Sequence, residues 1–271
     1  MGTTGQYAVR WAATLLVVVT WISAALFGAY IVAFFGGAAL RGDPEQWNAS
    51  LPALFDRAGP VGTVAIGAHF VAGGVLLLLG PIQLIGRLRA AWPALHRWLG
   101  RVYVVAAAVT GAGGLGFIAT RGTIGGTVMD TGFGLYGLLV VGAAVLAWQR
   151  AWSGRIAAHR AWAIRLFALV IGSWLYRMEY GLWFLTMGKA GHASDFHGPF
   201  DAVMAFAFYL PNLLVAELFI RARRRPAHAA LAIGAVVALI AASLFIVLAT
   251  WVFVTRFWGP GFVSGVTGTP L

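Results

Sequence analysis

Seven stretches of the chain run for about twenty residues or more with few or no charges, and a helix of that length is what crosses the roughly 30 Å apolar core of a bilayer. They are Trp11 to Leu40, Val61 to Gly86, Val102 to Thr120, Thr131 to Gln149, Ala161 to Met187, Ala202 to Ile220 and Ala229 to Thr255. Hydrophobic residues make up 61% of the chain and charged ones only 10%, against about 25% charged in an ordinary soluble domain. That leaves too much apolar side chain for a water-facing surface. The pattern predicts an all-α, polytopic transmembrane helix bundle of seven helices, one membrane domain over residues 1–271, with the lipid bilayer as its solvent. Trp11 to Leu40 is longer than the apolar core of a cleavable signal peptide, and reads as an anchor that stays.

The cations fix an expected orientation, because short cytoplasmic loops hold an excess of Lys and Arg. Arg87, Arg89, Arg97 and Arg101 lie between the second and third runs. Arg150, Arg155, Arg160 and Arg165 lie around the start of the fifth, and Arg221, Arg223, Arg224 and Arg225 follow the sixth. Those three connections share one side, so the N-terminus is predicted inside and the C-terminus outside. A net charge of +11 is thereby read as a topology signal, and nucleic acid is rejected as a partner. The chain has no cysteine, which excludes disulfides, thiolate metal sites, iron-sulfur clusters and cysteine nucleophiles. Any metal or haem would be held by histidine, methionine or carboxylate.

Two polar clusters stand out against this apolar background. At the predicted inner face, HRWLGR at His96 to Arg101 and HRAWAIR at His159 to Arg165 each open a helix running from inside to outside. Two imidazoles at one depth can ligate a haem b axially, with Arg97, Arg101, Arg160 and Arg165 holding the propionates, or the cluster can grip a lipid or quinone headgroup. The plainer reading is a set of interfacial anchors with buried stems and wet heads.

In the outer half, His69 lies about a dozen ångströms into the second helix, on a face of small residues. Arg177 stands eighteen residues after His159, about five full turns, so the two share one stripe of an unbroken helix. Glu179 points to nearly the opposite side from Arg177, so these two cannot pair directly and each needs a partner elsewhere. His69, Arg177 and Glu179 form the expected intramembrane polar site.

In the following outer loop, His192, Asp195, His197 and Asp201 have a spacing that suits a divalent metal, though short polar loops commonly look the same. Glu217 stands four residues before Arg221, a favourable intrahelical pair. Pro81 and Pro211 each remove a backbone donor and predict kinks in the second and sixth helices.

ALHRWLGRVYV at Ala94 to Val104 and AHRAWAIRLFAL at Ala158 to Leu169, with Arg177 beyond, resemble the uncharacterised bacterial membrane proteins grouped as domain-of-unknown-function family 2306. His69 and GPIQL at Gly80 to Leu84 fit the same pattern. The resemblance covers about Val64 to Leu182 and leaves the first, sixth and seventh helices outside it. It implies that His69, His96, Arg97, Arg101, His159, Arg160, Arg165 and Arg177 belong to the family pattern, and it implies no activity. The leading expectation is a bacterial inner-membrane redox or electron-transfer protein with a haem b or quinone between helices two to five. Two alternatives are a proton-coupled transporter or lipid-handling protein, and a structural subunit packed against other membrane proteins.

Overall fold

The computed structural model of the protein describes residues 3–50, 54–225 and 228–269, and all regular structure among them is helical. The helices are α1 (Thr3–Ile31), α2 (Pro60–Leu84), α3 (Pro93–Arg121), α4 (Gly126–Trp152), α5 (Ile156–Val170), α6 (Gly172–Met187), α7 (Pro199–Ala207), α8 (Leu210–Arg224), α9 (Ala229–Phe253) and α10 (Gly259–Thr267). Short turns at Gly37–Leu40, Pro44–Ala49 and Gly86–Ala91 link them, and α1 and α9 each run on through one π-helical turn. Proline stands in the first turn of α2, α3, α7, α8 and α10, where its missing N–H has no intrahelical carbonyl to meet.

Six stretches are long and apolar enough to cross a membrane: Gly5–Leu40, Pro60–Leu84, Pro93–Arg121, Gly126–Trp152, Pro199–Arg224 and Ala229–Thr267. The pair α5 and α6, bent by 45° at its junction, passes the same test together, which gives seven where the pair is counted as one span. The outside of the bundle is apolar as well as the inside, with Val61, Val64, Val71, Leu138, Leu214 and Leu248 all exposed. Hydrocarbon, not water, is the solvent such a surface suits. The chain is a multi-pass membrane protein.

Arg223 at the end of α8 lies within electrostatic reach of Arg10 in α1, Arg89 between α2 and α3, and Arg160 in α5. The arginine-bearing connections therefore gather at one end of the bundle, as the charge pattern requires. The opposite end carries the Glu45–Arg57 pair at 2.9 Å and the carboxylate of Asp130, which accepts the Thr123 N–H at 2.6 Å.

Packing is closest where glycines remove the side chain from an interface. A Cβ on Gly113 of α3 would lie 2.9 Å from the Ala65 carbonyl oxygen of α2, too close for any residue but glycine. Further along α3, toward the arginine-bearing end, the core is aromatic and small: Tyr103, Tyr136, Phe208 and Tyr209 interlock with Ala106, Ala107, Ala143 and Ala144. A second core, with Trp174 and Met178 at its centre, joins α1, α6 and α9.

The fifth predicted run differs from expectation in one respect that matters. It is two helices, so the straight stripe from His159 to Arg177 is interrupted at Ile171. The cause lies on a neighbouring helix. The hydroxyl of Tyr136 in α4 donates to the Leu169 carbonyl at 2.6 Å and accepts the Ser173 N–H at 3.3 Å, holding the two backbone groups that the bend releases. Gly172 admits the ring, since a Cβ there would touch it at 3.3 Å. Insertion of a side chain into the helical ladder is a recognised origin of such kinks.

The two prolines act differently from each other. Pro81 is buried inside α2, which runs on to Leu84, whereas Pro211 begins a new helix after a break at Phe208–Tyr209. There the Asn212 amide donates back to the Phe208 carbonyl at 3.4 Å. α3 starts at Pro93, more than two turns before the predicted boundary, which places His96 and Arg101 on the helix itself.

Candidate functional site

At the arginine-bearing end, His159 turns its Nδ1 to the Ala147 carbonyl oxygen at 2.9 Å. A carbonyl only accepts, so Nδ1 carries a proton. His96 lies within reach of the charges of Arg89, His159 and Arg97, so the two histidine motifs converge at one end of the bundle. Arg97, Arg101 and Arg160 are exposed and form no ion pair among the described residues.

Arg165, unlike these three, is paired with a carboxylate. Its guanidinium donates to Glu217 at 2.7 Å and lies 5.0 Å from the centre of the Trp162 ring. Glu217 also accepts from Arg221 at 2.9 Å. The carboxylate thus ties α5 to α8, a role beyond the intrahelical pair that the spacing alone suggested.

In the opposite half, His69 donates from Nδ1 to the Thr110 carbonyl of α3 at 3.0 Å. Gly114 lies against the ring, a Cβ at that position making ordinary contact 3.5 Å from Nδ1. In the neutral ring Nε2 is left as the acceptor. Arg177 on α6 lies within electrostatic reach of both His69 and Tyr30 of α1. It donates to the Ser173 carbonyl of its own helix at 2.9 Å and, among the described residues, meets no carboxylate.

Glu179 turns away from Arg177, as the helical geometry predicts, and its Oε2 is buried without a hydrogen-bond partner. Of the expected intramembrane site, then, His69 and Arg177 come together and Glu179 does not join them. Tyr30 was not anticipated, and no local signal marks it out among the many aromatics. A separate, open apolar groove of about 520 Å³ runs between α2 and α3, lined by Ala68, Val71, Val75, Trp98, Arg101 and Val105 among others.

The outer loop follows the plainer reading of its spacing, that of a polar loop. No three His, Asp or Glu side chains gather into a metal-holding group among the described residues. His192 instead donates from Nδ1 to Asp201 at 2.8 Å, while His197 turns to the backbone carbonyl of Asp195. Asp201, only 1% exposed, also accepts from the Tyr180 hydroxyl at 2.7 Å and from the Ala193 and Gly198 N–H groups at 3.0 Å each. Every lone pair facing inward is used, which is the arrangement of a structural lock between the loop, α6 and α7.

Comparison with known proteins agrees with the motif reading and extends it. No curated protein and no solved structure matches the chain. The family profile described as "Predicted membrane protein (DUF2306)" matches residues 66–220, further than the motifs suggested, so α7 and α8 lie inside the family's region. With that match covering more than half of the sequence and both histidine-arginine motifs within it, the chain belongs to this family of membrane proteins.

Proposed function

We propose that the protein binds a lipophilic molecule with a carbonyl or anionic head, of the quinone class, and seats that head between Arg177, His69 and Tyr30. The observation that carries this reading is a guanidinium within a membrane-spanning segment that, among the described residues, meets no carboxylate. Such a charge is costly in hydrocarbon and marks a functional position. Its five donors call for acceptors, and the Ser173 carbonyl supplies one. The apolar groove between α2 and α3 includes Ala68 and Ala72 of the helix that carries His69, and suits an isoprenoid or acyl tail arriving from the lipid side. The arginine-bearing end faces the cytoplasm of a bacterial inner membrane in this reading.

A short-chain quinone titrated into protein in nanodiscs should quench tryptophan fluorescence at saturable occupancy. Arg177→Leu should weaken that binding roughly ten- to a hundredfold, the scale of losing a charge-assisted hydrogen bond. Equal affinity in the variant and the parent would remove the reading.

One observation favours a second reading, a haem b between His96 and His159 that would serve electron transfer. The His159 Nδ1 bond to Ala147 fixes the ring and leaves Nε2 outward, the arrangement that a metal-ligating histidine needs. A reduced-minus-oxidised spectrum of protein expressed with ample haem decides it: split Soret and α bands lost in His159→Ala support it, and a featureless spectrum ends it.

A further inference from the structure

α2 and α3 face each other along a line that runs from the arginine-bearing end to His69. Near that end Gln83 of α2 stands against Gly100 of α3, its Oε1 3.4 Å from the place of a Cβ on that glycine. One turn further in the pairing reverses, and Tyr103 of α3 stands against Gly80 of α2 at 3.2 Å by the same measure. His96, Gly100, Tyr103, Ala107 and Thr110 recur at intervals of four and three and so share one helical face. The last of them supplies the carbonyl that His69 uses.

Three of the buried polar atoms that have no hydrogen-bond partner lie on this line: Gln83 Nε2, the Tyr103 hydroxyl and the Thr110 hydroxyl. Tyr103 is only 6% exposed. It shares its core with Tyr136 and lies within electrostatic reach of it. The Tyr136 hydroxyl in turn takes the Ser173 N–H, and the carbonyl of the same residue takes Arg177.

A dry, apolar interface would gain by replacing such groups with phenylalanine, leucine and valine, because buried polar atoms without partners are unfavourable. Small polar partners that can enter between close-packed helices are water molecules, each needing two to four such groups. We propose that Gln83, Tyr103 and Thr110 line a file of ordered water that carries protons between the arginine-bearing end and the Arg177–His69 cluster. Each step moves a proton from one water or hydroxyl oxygen to the next while the reverse hydrogen bond re-forms behind it. Nothing is oxidised or reduced, and the lining groups return to their starting protonation. His96 stands at the mouth of the file and His69 at its inner end. The file does not depend on a quinone occupying the cluster, and its test uses protein without added ligand.

The native chain in nanodiscs, exposed to millisecond X-ray pulses in isotope-labelled water, should show oxidation of Tyr103 at a rate comparable to that of Tyr7, which is 73% exposed. Radicals formed from bound water react with the residues that hold it. Phe208, fully buried in the same core, should stay unlabelled. Exchange of the His69 imidazole protons with solvent, followed by nitrogen-15 NMR, should slow at least roughly tenfold in the double variant Gln83→Leu, Tyr103→Phe, about the effect of one lost proton-transfer group. Tyr103 as inert as Phe208 would overturn the proposal, and so would equal exchange rates in parent and variant.

Discussion

Asp201→Ala is expected to lower the melting temperature in detergent by about 10 °C, from a loss of roughly 3–5 kcal/mol. The side chain is buried and accepts four hydrogen bonds, from His192, Tyr180 and the backbone of Ala193 and Gly198. Removing it strands four donors at once among the rings of Phe184, Phe196 and Tyr180 that pack on His192. Each unpaired buried donor costs about 1–3 kcal/mol, and the sum falls short of four full penalties because the loop relaxes. Asp201→Asn keeps one acceptor oxygen and should lose about half as much. Intrinsic tryptophan fluorescence during a thermal ramp reads the shift, and a change below about 2 °C for the alanine variant would mean the lock does not bear on stability.

Tyr136→Phe is the second large effect, about 2–4 kcal/mol for the loss of one oxygen atom. The phenylalanine ring keeps the packing against Phe208 and Tyr209. What disappears is the partner of the Leu169 carbonyl and of the Ser173 N–H, both freed by the bend between α5 and α6 and both inside the membrane. Amide exchange should accelerate at Ser173 and its neighbours while α3 and α9 stay protected. If protection around Ser173 is unchanged, some other group holds the bend.

The architecture was legible in the sequence because it rests on two cumulative signals, apolar length and the placement of arginine. Seven crossings and a single arginine-bearing end follow from those without any knowledge of contacts. His69 and Arg177 were legible for the same reason, as polar residues where hydrocarbon was expected. The turn away of Glu179 followed from helical geometry over two residues.

The bend at Ile171 was not legible. Gly172 is one of 36 glycines, and the group that inserts is a tyrosine 33 residues away from the carbonyl it holds. The outer loop was legible only in part. Its histidines and carboxylates have ligand-like spacing, but spacing does not reveal that Asp201 is drawn inward as the third residue of a helix. Gly198-Pro199 followed by an acidic residue in the first turn was the signal that would have placed it there. Glu217 was read within its own helix, and only the fold shows that Arg165 reaches it from α5.

A crossing made of two rods joined at an angle behaves unlike a single rod. Because the phenol that sets the angle is carried by α4, the junction is not a loose hinge but a fulcrum bolted to a neighbour. Sliding α4 along its axis would tilt the rod that holds His159 against the rod that holds Arg177. Opposite faces of the bilayer are in that sense geared together through one oxygen atom.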